Sequence, residues 1–171
     1  STGMDSINTS DQITHGDLIP FSGAGPGTDG GSFPHLAADG AFAAGGLSLN
    51  YLSNLGRDGR LANQTVGGPR RAAGVAAGSA ALVYQAFRDS QGRWPSAAEA
   101  RSMLMAGARF AGYDVFTSGA GTLDAGDAVR IAAGQGGIYA DPPYWAVGAE
   151  AHPGFAPLVS RGESLSREIT L

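Results

Sequence analysis

Few residues in this 171-residue chain are equipped for covalent chemistry. Cysteine is absent, which excludes thiolate nucleophiles, thiolate metal sites and disulfides. Lysine is absent as well, so there is no Schiff-base amine and no lysine for a phosphate-binding loop. All eleven basic residues are arginine, a bias that GC-rich coding also produces together with abundant Ala and Gly. The three histidines, His15, His35 and His152, are scattered through loop-like sequence and read as surface or turn residues rather than general bases. The densest functionality is the adjacent pair Arg70-Arg71. Two guanidinium forks side by side can hold an acidic tail or another subunit, or can simply face solvent.

Three helices are expected to position these groups. The first runs from about Ala72 to Arg88, after Pro69, and is built from small residues followed by Leu82, Val83, Tyr84 and Phe87. Small side chains all round imply burial on every side, with neighbours close to the backbone. Its internal glycines, Gly74 and Gly78, each cost about 1 kcal/mol of helix propensity, which close packing must offset. The second helix is announced by the capping box Ser96-Ala97-Ala98-Glu99. Ala97, Ala100, Met103, Leu104, Gly107, Ala108 and Ala111 then share one face. A third, shorter helix starts at Asp124 as N-cap, with Ala125, Ala128, Val129 and Ala132 inward. Asp124 and Asp127 suit the positive end of its dipole.

The remaining segments are loops and short strands. Residues 1–40 are rich in Ser, Asp, Thr, Gly and Pro, and Leu47 to Tyr51 alternates like a strand. Gly134 to Gly137 reads as a linker, Asp141 to Trp145 as an extended aromatic segment, and Arg167 to Leu171 as the opening strand of a following β-region. Hydrophobic residues make up 43% of the chain and charged residues 15%, which supports a packed body rather than a disordered tail. The net charge of −4 offers no attraction to nucleic acid or an anionic membrane, and no apolar run is long enough to span a bilayer. The chain opens on Ser1, as expected of a processed or excised piece.

Taken in order, these segments resemble the C-terminal half of the subtilases, the subtilisin-like serine proteases. Asp5-Ser6 and Phe21-Ser22-Gly23-Ala24-Gly25-Pro26 resemble the family's Asp-Ser and Phe-Ser-x-x-Gly-Pro segments. Pro34-His35-Leu36-Ala37-Ala38-Asp39-Gly40 resembles its Pro-Asp-Leu-x-Ala-Pro-Gly stretch, with His35 where the family often has Asp. Ala76 to Leu82 is similar to the Val-Ala-Gly-x-x-Ala-Leu run of its central helix, and Arg101-Ser102-Met103-Leu104 to the end of the next helix. Gly119-Ala120-Gly121-Thr122-Leu123-Asp124-Ala125 is similar to Gly-x-Gly-x-Val-Asp-Ala. The resemblance covers about residues 3–133. It implies an α/β fold, the C-terminal half of a three-layer arrangement with a mostly parallel sheet. The domain organisation expected is residues 1–133 as that half, and 134–171 as a linker and the start of a β segment. The family further implies a secreted or cell-surface location and allows calcium. Asp5, Asp11, Asp17, Asp29 and Asp39 could offer it oxygens, but they lack ligand spacing and read better as turn residues.

One departure decides the functional reading. The family's central helix is preceded by Gly-Thr-Ser-x-Ala-x-Pro, whose Ser is the nucleophile. Counting back from Gly78 without a gap, this chain has Gly68-Pro69-Arg70-Arg71-Ala72-Ala73-Gly74, which puts Arg70 at the nucleophile position. Guanidinium stays protonated and offers no lone pair, so acyl transfer has no attacking atom. The nearest hydroxyls are Thr65, five residues upstream, and Ser79, inside the helix. The family's catalytic Asp and His and its oxyanion-hole Asn would lie before the point matched by Asp5.

Three readings follow. The first is a pseudoprotease segment of a secreted or cell-surface protein, with a binding, assembly or scaffold role and with Arg70 and Arg71 as its binding residues. The second is a serine endopeptidase whose Asp, His and Ser come from upstream or misaligned positions. The third is an Ala/Gly-rich structural module with no protease ancestry. Because parallel strands need neighbours on both sides, the chain is expected to stay joined to an N-terminal partner fragment or a larger polypeptide.

Overall fold

In the computed structural model, residues 17–19, 21–27, 33–41, 43–46, 63–141, 161, 168 and 170–171 are described, together with the short strand pieces 2–3, 6–7 and 13–14. The longest element is a helix, α1 (Pro69–Gln91), and it starts three residues before the expected Ala72. The reason is local. Proline at the first helical position loses no hydrogen bond and brings a preset φ, so the helix can begin on it. Gly68 supplies the sharp entry with φ of 121°, a conformation that side chains other than glycine avoid. At the far end Gly92 closes the helix in the left-handed conformation, and its N–H donates to the Arg88 carbonyl at 2.9 Å.

The second helix, α2 (Ala97–Ala106), begins where the capping box places it. Glu99 N–H donates to Ser96 Oγ at 3.1 Å, and Ser96 N–H donates to Glu99 Oε2 at 2.7 Å. Arg93 reinforces this end: its Nη1 and Nη2 donate to the two Glu99 oxygens at 3.0 and 2.5 Å. That fork, helped by the Ser96 hydrogen bonds, lowers the Glu99 carboxyl to about 2. A one-turn helix, α3 (Val115–Ser118), follows; the sequence reading did not anticipate it. Its cap is Asp114, whose Oδ1 accepts from the N–H groups of Phe116 and Thr117. The Thr117 hydroxyl and these amides hold the Asp114 carboxyl below its ordinary range. The last helix, α4 (Ala125–Ala132), starts from Asp124, which accepts from the Asp127 N–H at 3.0 Å.

These helices meet in one apolar cluster. Val83 and Phe87 of α1 pack with Ala100, Met103 and Leu104 of α2 and with Ala128 and Ala132 of α4. The inward face of α2 is the expected one at Ala100, Met103, Leu104 and Gly107, whereas Ala97 stays exposed because it lies in the first turn, outside the cluster. A Cβ built at Gly107 would stand 2.5 Å from the Ala128 backbone nitrogen, so a glycine there lets α2 and α4 touch main chain to main chain. Ser90 Oγ donates to the Ala132 carbonyl at 2.9 Å and pins the ends of α1 and α4 together.

Strands are short. β1 (Thr2–Gly3) pairs in parallel with β4 (Asp39–Ala41). β2 (Ser6–Ile7) and β3 (Ile13–Thr14) form an antiparallel pair, as do β5 (Ala43–Gly46) and β6 (Asn63–Val66). The Gly-x-Gly segment adds a further ladder. Ala37 N–H donates to the Gly121 carbonyl and Leu123 N–H to the Ala37 carbonyl, a parallel bridge. On its other side Arg109 and Thr122 exchange both backbone hydrogen bonds. Gly119 and Gly121 both have positive φ, and a Cβ at either would collide with a neighbouring carbonyl, of Pro34 and His35 in one case and of Arg109 in the other.

The fold is therefore mixed α/β, with helices dominant and, among the described residues, only two-stranded pairs. The expected strand at 47–51 lies outside the described residues. Of the C-terminal expectations, Gly134 and Gln135 form the turn that ends α4, their N–H groups donating to Ile131 and Arg130. Asp141 and Thr170 form an antiparallel bridge with two hydrogen bonds of 2.9 and 3.0 Å. Residues 142–160 lie outside the described residues.

The expectation that α1 is buried on every side does not hold. Its inward face is sealed at Ala72, Ser79, Val83 and Phe87, but Ala73, Gly74, Ala77, Gly78, Ala81 and Leu82 are exposed. No described residue comes within 4 Å of a Cβ built at Gly74 or Gly78. α1 packs against α2, α4 and β4, and its buried residues Ala72, Ser79, Val83 and Phe87 recur at helical spacing along one side.

Candidate functional site

The head of α1 is where the sequence concentrates its cations, and the fold treats them differently. Pro69, Arg70 and Arg71 form the first turn, which contains no acidic residue, and Gly68 provides no side-chain cap. Arg71 turns inward to β4. Its Nη1 lies 3.0 Å from Asp39 Oδ2 and also reaches the Asp39 carbonyl at 3.5 Å. The carboxylate that offsets a cation near a helix N-terminus is thus supplied within the chain for Arg71. Arg70, one residue earlier, is placed differently. It is exposed, and no carboxylate pairs with it among the described residues. One of the two expected binding residues is therefore paired within the chain, and the other has no carboxylate partner among the described residues.

At the head of α1 lies a cavity of about 320 Å³, which Arg70 does not line. Its floor is the first two turns of α1 at Pro69, Ala72, Ala73 and Ala76; its opposite wall is Pro34, Leu36 and Ala38, and Ser22 and Gly23 close the end. The described lining is mostly apolar. β4 and the Ala37–Gly121 bridge fix the wall, and the Gly68 N–H, donating to the Gly40 carbonyl, fixes the helix start against β4.

The hydroxyls considered as nucleophiles are placed as follows. Ser79 is buried in the middle of α1, and its Oγ donates to the Val75 carbonyl at 3.0 Å, so its proton is already committed. Thr65 sits on β6, paired with Ala44. His35 is built into the ladder: its carbonyl accepts from Ala120 N–H at 2.9 Å, and its ring meets Phe33 edge to face at 5.1 Å. His15 and His152 lie outside the described residues.

Two of the aspartates that could offer oxygens to calcium are engaged with other groups. Asp17 Oδ1 accepts from Leu18 N–H and from the Tyr113 hydroxyl, and Asp39 holds Arg71. No group of three or more His, Cys, Asp or Glu is arranged for a metal among the described residues. Asp5, Asp11 and Asp29 lie outside them. No helix among the described residues is long and apolar enough to cross a membrane.

The groove itself was not readable from sequence, because its walls come from residues about 35 positions apart along the chain. The only local signal was the Pro-Arg-Arg start of the helix. Comparison of the chain with protein-family models, curated proteins and solved structures gives no match to any of the three.

Proposed function

We propose that this chain is a non-catalytic, subtilisin-like segment of a secreted or cell-surface protein, with a binding, assembly or scaffold role. The observation that carries the reading is the head of α1: the position that the resemblance assigns to the nucleophile is Arg70, exposed and without a carboxylate partner among the described residues. The helix hydroxyl nearest to it in sequence, Ser79, is spent on a backbone carbonyl. The element order supports the resemblance, with an Ala/Gly-rich helix, a capped helix, a Gly-x-Gly bridge and a short helix following one another. The finer fold belongs to the same proposal: the parallel pair β1–β4 and the parallel bridge at Ala37 are remnants of a three-layer sheet.

The bare side of α1 supports an associated N-terminal half of the same domain. Leu82 is 57% exposed while its neighbour Val83 is fully buried. A helix this poor in charge on its open side gains by being covered.

Labelling with a fluorophosphonate probe tests the functional reading. We expect no covalent adduct on this chain or on a complex containing it; an adduct on any serine of residues 63–91 would restore the endopeptidase reading. Size-exclusion chromatography tests the association. A cooperatively folded, monodisperse monomer of this chain alone would count against a required N-terminal partner.

A further inference from the structure

We infer that the patch formed by Tyr84, Arg88 and Trp94 at the C-terminal end of α1 docks an acidic peptide segment of another polypeptide, with a carboxylate on the Arg88 guanidinium and an aliphatic side chain on the two rings. The patch lies at the opposite end of α1 from Arg70 and owes nothing to the resemblance, so it stands or falls apart from the non-catalytic reading.

A second pair at the same helix end shows what is missing. Arg93 Cζ lies 4.7 Å from the centre of the Phe87 ring, and its two terminal nitrogens donate to the Glu99 carboxylate at 3.0 and 2.5 Å. Ring, guanidinium and carboxylate are all present there. Arg88 Cζ lies 4.5 Å from the centre of the Trp94 ring, and the Tyr84 ring flanks Trp94 at 6.3 Å. No carboxylate completes this second pair: among the described residues Arg88 has neither an ion pair nor a side-chain hydrogen bond. Asp89, the next residue, is engaged elsewhere, its two oxygens accepting from the Gln85 amide at 2.9 and 2.8 Å. Contact with a ring uses a guanidinium's charge against the π face and leaves its N–H donors for a planar acceptor. The ring also restrains the side chain, so less freedom is lost when a carboxylate is gripped through two parallel hydrogen bonds.

The surroundings select the partner. Tyr84 and Arg88 stand one turn apart on α1, and the left-handed Gly92 turns the chain back so that Trp94 meets both. Trp94 is 54% exposed and Arg88 is exposed, so the patch is an open surface suited to a polypeptide. Tryptophan, tyrosine and arginine are the residues on which protein interfaces concentrate their binding energy. A phosphate would bring up to two negative charges to this one cation, beside Asp89 and the negative end of the α1 dipole, whereas a carboxylate brings one. A nucleic acid backbone calls for several cations, and the neighbouring one, Arg93, is taken by Glu99. An Asp or Glu two residues from Val, Leu or Ile, on one face of an extended segment, meets both the cation and the rings.

The test is a display library of random heptapeptides panned on the whole chain and on Arg88→Ala. The selected peptides are then titrated against the fluorescence of Trp94, with the other tryptophan removed as Trp145→Phe. Arg88 is exposed, so its truncation leaves the core untouched, and circular dichroism checks this. Asp or Glu two residues from an aliphatic side chain is expected to be enriched on the parent chain and not on Arg88→Ala, and the selected peptides should shift Trp94 emission. Replacing the peptide's acid by its amide should weaken binding roughly tenfold on the parent chain and leave binding to Arg88→Ala unchanged. Trp94→Ala, followed by the anisotropy of labelled peptides, should weaken every one of them. Absence of acid enrichment, equal binding by Arg88→Ala, or binding that leaves Trp94 emission unmoved overturns the inference. Self-association abolished by Arg88→Ala would also overturn it, by making a second copy the occupant. Fluorophosphonate labelling decides only the non-catalytic reading, and acid selection decides only this patch.

Discussion

The two sides of α1 carry similar residues and live in different environments. On the sealed side, Ala72, Val83 and Phe87 are buried beneath β4, α2 and α4. On the open side, Ala73, Ala77, Ala81 and Leu82 face outward, and the two helix glycines have no described neighbour within van der Waals reach. Gly107 in the sealed region shows what a packing glycine looks like: a methyl there would strike the backbone of Ala128. A glycine in a helix costs stability wherever it sits. At Gly107 a close approach offsets that cost within the chain, and at Gly74 and Gly78 nothing described does. The difference teaches that residue type does not tell a packing glycine from an open one: only the neighbours do.

Substitutions on the two sides should therefore diverge. The largest effect is expected from Phe87→Ala, which empties the centre of the cluster and should cost about 3–5 kcal/mol in urea unfolding. Leu82→Ala in the same helix should cost under about 0.5 kcal/mol, since a side chain that is half exposed forfeits little burial. Comparable losses at the two positions would break the comparison. Next, Gly107→Ala should destabilise by about 1–3 kcal/mol through overpacking against α4.

The capping region should show the next effect. The pair Arg93–Glu99 is half open to solvent, so Glu99→Gln should cost only about 1 kcal/mol at neutral pH. The Glu99 carboxyl lies at about 2 in the folded chain, below its ordinary value of 4.5. The folded state thus holds its proton less tightly than the unfolded chain. The stabilisation is complete above about pH 4.5 and disappears as the pH falls toward 2. Acid titrations followed by circular dichroism should show that slope in the parent and lose it in Glu99→Gln.

The smallest change expected is a gain. Gly74→Ala and Gly78→Ala should each stabilise α1 by up to about 1 kcal/mol wherever no partner packs against them. If a partner covers this side closely, the same substitutions should weaken its binding, which pull-down with an N-terminal fragment would detect. Loss of stability in the isolated chain would show that the open side is already packed.

Helix starts were the most legible feature. Ser96 with Glu99, and Asp124 alone, are caps written in adjacent residues, and both hold their helices as expected. Asp114 with Thr117 carries a signal of the same kind that the sequence reading passed over. Burial around α1 was misjudged because small apolar residues fit equally well under a neighbour or in the open, and residue type does not say which. At the candidate site the sequence singled out both arginines. It could not separate them, because the partner that distinguishes them, Asp39, lies 32 residues before Arg71.

By itself, the sequence determined the local elements, since caps, proline starts and glycine stops act over three or four residues. It also determined the exclusions, because missing cysteine and lysine remove their chemistry from any fold. Only the tertiary structure decided which arginine is satisfied and which is free, where the groove opens, and which side of the Ala/Gly helix is left bare. Those outcomes depend on segments distant in the chain converging on one place, and a charge or an alanine acquires its role from what packs against it.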